Sequence, residues 1–297
     1  MSIWEEIKST FRNGTALTKL LYLNGAIFLV VKLLEMISVI ATKSAVYAVV
    51  FVDWLSVPAF LPELAGKFWT PLTYMFLHQE FLHFIFNLLW LYWFGKIFLQ
   101  FLDQRKLVAA YILGGLTGAL FFIGFFNIVP AFRDSSLTTG ALGASAAVMA
   151  VVTAVAVWVP EYEIMLFLIG RIRLKYLALF MFLITTVFDF SANTGGKVAH
   201  IGGALFGLLY AISLKRGYDP GKGINMVIDF LATIFRPRKK IRVTYRKPPR
   251  DDYQYNEMKT EKQQEINRIL DKISKGGYDS LTSEEKKRLF SESQGKN

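Results

Sequence analysis

Six windows of the sequence, roughly residues 17–40, 83–101, 107–126, 143–159, 175–190 and 198–214, approach the ~20 apolar residues that a helix needs to cross a hydrocarbon core of about 30 Å. A run of that length must satisfy its backbone internally, so each window is expected to be a helix. The expected fold class is therefore all-α: a polytopic bundle of six membrane spans. Composition agrees, since hydrophobic residues make up 53% of the chain and aromatic residues 15%. In soluble domains the apolar share is about 45–50% with glycine included. The first window carries Lys19, Lys32 and Glu35, and the last two are three apart, placed to pair on one helix face. The opening "MSIWEEIKST" has acids and no basic stretch leading into a short apolar core, so the first span is expected to stay as an anchor.

Charge orients the bundle. From Lys215 onward there are 20 Lys and Arg against 12 Asp and Glu, which is +8 of the chain's formal +11. Basic short loops remain on the cytoplasmic side. Those after the second window ("DQRK", residues 103–106) and after the fourth (Arg171, Arg173, Lys175) are the basic ones. Both termini are thus expected in the cytoplasm, with the chain in the cell (inner) membrane. The chain has no cysteine, which excludes disulfides, zinc thiolates and a cysteine nucleophile.

Three regions are expected along the chain: a membrane domain over 1–214, a basic linker over 215–255 and a small helix-turn-helix appendage over 256–297. Between the first and second spans, Pro58, Pro62 and Pro71 argue against one continuous helix. The stretch is expected to be an external loop with Trp54, Phe60 and Trp69 in the interface. In the linker, "INMVIDFLATIF" (224–235) reads as an amphipathic surface helix, and "RPRKKIRVTYRKPPR" (236–250) carries eight basic residues and no acid, as a segment held against anionic lipid would. In the appendage, Ile266, Ile269, Leu270 and Ile273 recur at helical spacing, Gly276 and Gly277 break the helix, and Thr282 with Glu285 matches a capping box. Its charge suits docking to an unknown partner or a solvated tail better than nucleic acid.

Topology then places the polar residues. With the N-terminus inside, spans two, four and six all start on the external side, so their first turns share one depth. Those turns hold His83 and Asn87, four apart on one face; Ser145 within "GASA"; and His200 within "AHIGG". Polar side chains within spans usually face the bundle interior and mark function. Gly203 and Gly207, in G-x-x-x-G spacing, permit close approach of spans four and six. That approach would bring the Ser145 hydroxyl to the His200 imidazole, a base suited to take its proton. At a helix N-terminus, free backbone N–H groups can stabilise an oxyanion, with His83 and Asn87 as further donors. The set fits acyl transfer. A metal or haem site on His78, His83 and His200 is the rival reading; with no thiolate and no carboxylate in that layer, no metal or cofactor is expected. Asp189, at the outer end of span five, is the one carboxylate near the layer, and a loop-boundary cap is its plainer role.

These residues carry a resemblance. His78-x4-His83-x3-Asn87 followed by Gly95, Gly143-Ala-Ser145 opening a span, and Ala199-His200-x2-Gly203-x3-Gly207 in the last together resemble a rhomboid intramembrane serine protease over roughly 15–214. The resemblance implies a six-helix rhomboid bundle, with Ser145 as nucleophile, His200 as its base and His83 and Asn87 in the oxyanion hole. It implies further that His78 and Gly143 support the site and that transmembrane segments of other proteins are the substrates. The chain departs from the family's pattern at Ala146, where many members have glycine, and at Met149, where an aromatic ring is common. It also departs at Trp69-Thr70 and at Leu99-Gln100. The alternative function is a rhomboid-like pseudoprotease that binds transmembrane helices without cutting, although inactive members usually lose the serine or the histidine.

Overall fold

A computed structural model describes residues 2–166, 170–188, 193–235 and 251–294. The chain forms two compact units, Met1–Arg236 and Pro237–Asn297. The first unit opens on α1 (Ile3–Asn13), whose start is closed by Ser2 and Glu5, each side chain meeting the other's backbone N–H. Helix α2 (Ala16–Thr42) starts at the Thr15 cap and carries the Lys32–Glu35 pair at 2.8 Å. Then follow α3 (Val46–Leu55), β1 (Val57–Pro58), α4 (Leu61–Gly66), α5 (Thr70–Thr73), α6 (Phe81–Phe101) and α7 (Gln104–Ile128). Strand β2 (Gly140–Ala141) pairs antiparallel with β1, and α8 (Ser145–Trp158) starts four residues later. A β-hairpin of β3 (Glu163–Leu166) and β4 (Gly170–Arg173) leads into α9 (Leu174–Phe182), which continues as a π-helical turn over Leu183–Val187. Helices α10 (Thr194–Lys215) and α11 (Lys222–Phe235) complete the unit.

Two expectations change here. Among the described residues, four helices are long and apolar enough to cross a membrane: α2, α6, α7 and α10. The fourth and fifth windows hold shorter helices, α8 with 14 residues and the α9 stretch to Val187. Apolar composition continues past the helix ends there, which is why the windows looked longer. The stretch between the first two spans is also more ordered than a loop. Val46–Leu55 is helical, and Pro62 and Pro71 sit in the first turns of α4 and α5, where a missing N–H costs nothing. Trp69 Nε1 donates to the Trp54 carbonyl at 3.0 Å, and Lys67 holds both Asp53 and Glu63 at 2.7 Å.

The centre of the first unit is α8, buried along most of its length between α7 and α10. Glycines make this possible. A Cβ on Gly203 would stand 2.1 Å from the Ala146 carbonyl oxygen, and one on Gly207 2.3 Å from that of Ala150. From the other side, Gly114 and Gly118 of α7 meet the methyl groups of Ala150 and Ala146 at 2.2 and 2.5 Å by the same measure. Lipid tails are as apolar as leucine, so close van der Waals packing and interhelical hydrogen bonds must hold such helices together. Tyr74 donates to the Gly115 carbonyl at 2.6 Å, and Tyr111 donates to the Met75 carbonyl at 3.0 Å while accepting from Asn24. These bonds pin the segment before α6 to α7.

The second unit is α12 (Asp252–Gly276), a 3-10 turn at Tyr278–Ser280 and α13 (Ser283–Gln294). Gly277 leaves α12 at φ 76°, and Thr282 and Glu285 form the expected reciprocal cap at 3.3 and 2.8 Å. Ile269 and Leu281 are buried, whereas Leu270 faces outward, because a two-helix unit covers a narrower stripe than the spacing suggests. The basic run 236–250 lies outside the described residues, and so does Asp189. The Lys272 ammonium beside Glu285, helped by the Thr282 N–H, pulls that carboxyl down to about 2. A depressed carboxylate pKa contributes stability above its ordinary value of about 4.3, and the contribution is lost as pH falls toward 2. Carboxyl NMR titration of a Lys272→Met variant is expected to show Glu285 moved up toward the ordinary range, with the Thr282 N–H holding it below; an unchanged titration would assign the shift to the cap alone.

Candidate active site

Helix α6 begins directly after an extended Glu80, which puts His83 and Asn87 in its first two turns. Asn87 is 6% exposed, and its Nδ2 donates to the His83 carbonyl one turn back at 2.8 Å, leaving its second N–H uncommitted. Ser145 is the first residue of α8, after Ala144 as its N-cap. The first intrahelical bond runs from Val148 N–H to the Ala144 carbonyl at 2.9 Å. The N–H groups of Ser145, Ala146 and Ala147 are therefore left without an intrahelical acceptor.

The approach to α8 is built to stay open. Gly143 has φ +127°, donates its N–H to the Tyr74 carbonyl at 3.0 Å, and lies between His83 and Ser145. A methyl on it would come within 3.3 Å of His83 Cε1 and 3.8 Å of both His83 Nε2 and Ser145 Oγ. Strand pairing of Val57 with Ala141 holds this segment from the other side.

His78 is fully buried behind this layer, where its Nε2 accepts the Ala144 N–H at 3.4 Å. Nε2 can accept only when the proton is on Nδ1, which has no hydrogen-bond partner among the described residues. Burial pushes the His78 imidazole down to about 4, the His83 ring 5.8 Å away adding to the depression and the Phe76 backbone opposing it. His78 is thus neutral, and it fixes the N-cap of α8 through its acceptor nitrogen.

His200 arrives on α10 from the opposite wall. Its Nδ1 lies 3.2 Å from the Thr185 carbonyl, within the π-helical turn that continues α9. A carbonyl only accepts, so the bond requires Nδ1–H and leaves Nε2 as the basic nitrogen. His83, Asn87, Ser145 and His200 all line one cavity of about 440 Å³, walled by Trp90, Met149, Phe180 and Met181. No hydrogen bond joins Ser145 to His200 among the described residues, and no group of three or more His, Cys, Asp or Glu able to hold a metal occurs among them.

Sequence reasoning did not foresee the Thr185 carbonyl, which has no side-chain signature. It also passed over Gly114 and Gly118, although "GGLTG" shows the same spacing as Gly203 and Gly207.

The family model for the rhomboid domain matches residues 65–217, more than half of the chain. The chain belongs to the rhomboid family. This rhomboid is accordingly a helical, multi-pass membrane protein, an intramembrane protease or pseudoprotease of that family. Residues 251–294, which contain α12 and α13, match a second model, a family of unknown function. No curated protein gives a match to the chain.

Proposed function

We propose that this rhomboid is an intramembrane serine endopeptidase that cuts transmembrane segments of other membrane proteins near the external face. One observation carries the reading: Ser145 at the start of α8, His200 on α10, and His83 and Asn87 on α6 converge on one cavity. Ser145 Oγ attacks the scissile carbonyl carbon as its proton passes to His200 Nε2. The oxyanion so formed is held by the free N–H groups at the α8 N-terminus, the spare Asn87 N–H and the His83 ring. Collapse expels the amine, which takes the proton from His200. Water, deprotonated by the same nitrogen, then hydrolyses the acyl-serine ester. The reaction needs no cofactor or metal.

The short α8 supports the site's depth. Fourteen residues rise about 21 Å, some 9 Å less than a hydrocarbon core of about 30 Å. With Trp158 near the cytoplasmic face, Ser145 lies below the external surface, where water enters from outside through the cavity. We read α8 and α9 as the fourth and fifth of six spans, with both termini in the cytoplasm and the bundle in the inner membrane. The boundary at 214 follows from that reading; α12 begins at Asp252, so the appendage takes in the last residues expected of the linker, and it serves as a docking element for an unknown partner. Reconstituted with a single-span substrate, the protein is expected to release two fragments; binding without fragments would favour the pseudoprotease.

Among the described residues no carboxylate orients the base of the dyad, and the Thr185 carbonyl takes that positioning role without contributing charge. With three histidines in the chain, ¹⁵N-histidine labelling reads every ring. His200, assigned by its loss in His200→Gln, is expected as the Nδ1–H tautomer, whereas a dominant Nε2–H form would remove the carbonyl from this role.

A further inference from the structure

A second cavity, about 360 Å³, lies between α8, α9 and α10 in the half of the bundle away from Ser145. Its walls are the C-terminal half of α8 (Thr153, Ala156), the start of α9 (Ala178, Leu179) and the middle of α10 (Ala204, Leu205). Ala178, Leu179 and Phe182 of α9 line this groove, whereas Phe180 and Met181 of α9, with Ile184 and Thr185 of its π-helical continuation, line the active-site cavity. The two spaces therefore share α9 as a wall without sharing a residue.

The mouth of this groove is cationic. Lys175 lines it, and Lys175 and Arg173 share a single carboxylate, Glu161. Lys215, at the end of α10, reaches the carbonyl of Val157, another lining residue, at 2.8 Å and has no carboxylate partner among the described residues. Four cations, Arg171, Arg173, Lys175 and Lys215, thus stand with two acids, Glu161 and Glu163, where the apolar groove opens. The apolar lining suits a lipid acyl chain, and the cations at the mouth suit its anionic headgroup.

We propose that the groove binds one acyl chain of an anionic glycerophospholipid, with its headgroup on Arg173, Lys175 and Lys215. The apolar walls take the chain, and the excess positive charge selects a net-negative headgroup over a zwitterionic one. A lipid seated there packs against α9, which also walls the active-site cavity. The site does not depend on whether the protein is a protease, because binding is read without substrate.

The test is native mass spectrometry of the full-length, delipidated protein titrated with dioleoyl phosphatidylglycerol or dioleoyl phosphatidylcholine. Phosphatidylglycerol is expected to bind at least about tenfold more tightly, since the net positive charge there favours it by upwards of ~1.4 kcal/mol. Arg173→Gln/Lys175→Gln/Lys215→Gln is expected to erase that preference. Ala204→Phe, which fills the groove and leaves the charges intact, is expected to weaken both lipids. Thr153→Leu narrows the groove from α8 with a smaller change and carries the measurement if Ala204→Phe does not fold. Equal affinity of the two lipids for the wild type would overturn the proposal. So would undiminished phosphatidylglycerol binding in both groove-filling variants, or crosslinking of a photoreactive group at Leu205 to polypeptide instead of lipid.

Discussion

Ser145→Ala and His200→Ala are each expected to lower cleavage of a reconstituted single-span substrate by at least ~10⁴-fold, and the double variant to be no worse than either alone. The reason is that the two side chains perform one step. Without the hydroxyl there is no acyl-enzyme, and without Nε2 the hydroxyl keeps its proton. Both residues sit on the wall of the same cavity, Ser145 on α8 and His200 on α10. Both variants should fold, because Ser145 is half-buried and makes no side-chain hydrogen bond among the described residues, while His200 gives up only its bond to Thr185. Fragment release over time in vesicles is the measurement. Cleavage by Ser145→Ala at more than about 1% of the wild-type rate, far above the residual set by that ~10⁴-fold loss, would show that another group attacks the peptide.

Gly203→Ala is the second large effect, and it acts through packing. The added methyl would stand 2.1 Å from the carbonyl oxygen and 2.9 Å from the carbonyl carbon of Ala146, both of them backbone atoms. Side-chain rotation cannot relieve that contact, so α8 must move. Overpacking of this kind costs about 1–3 kcal/mol and occasionally more. Ala146 follows the nucleophile directly, so the same displacement moves Ser145 Oγ, and about 1 Å of misplacement can cost ~10²-fold in rate. A drop in melting temperature is therefore expected together with a disproportionate loss of cleavage. Gly124→Ala is the control, since its Cβ would meet only the tip of Ile128 at 3.9 Å. A Gly203→Ala protein that melts and cuts like the wild type would mean that α8 and α10 do not approach as closely as described.

Much of the arrangement was legible because a few residues obey strong rules. His83 and Asn87 had to share a face at a separation of four, and Gly203 and Gly207 announced a close helix contact that the Ala146 and Ala150 carbonyls complete. Depth ordering from charge then pointed Ser145 and His200 at the same layer before any geometry was known. What escaped notice was carried by backbone or by length. The Thr185 carbonyl has no side chain to betray it, and the π-helical turn that offers it is invisible to apolar spacing. Windows four and five ran longer than α8 and α9 because hydropathy reports composition, whereas helix ends depend on the local capping and strand pairing around Gly140–Ala141 and Glu163–Arg173. Prolines 58, 62 and 71 correctly forbade one long helix but left the short helices α3, α4 and α5 between α2 and α6 unreadable.

The central claim is that Ser145 is a hydroxyl activated by His200, and covalent capture tests it most directly. Reconstituted protein is treated with a fluorophosphonate, digested, and the adduct mapped by mass spectrometry. The account predicts a phosphonyl group on Ser145 in the wild type and none there in His200→Ala, whose serine remains present but keeps its proton. Adduct on a different residue, or equal labelling of Ser145 without His200, would contradict it.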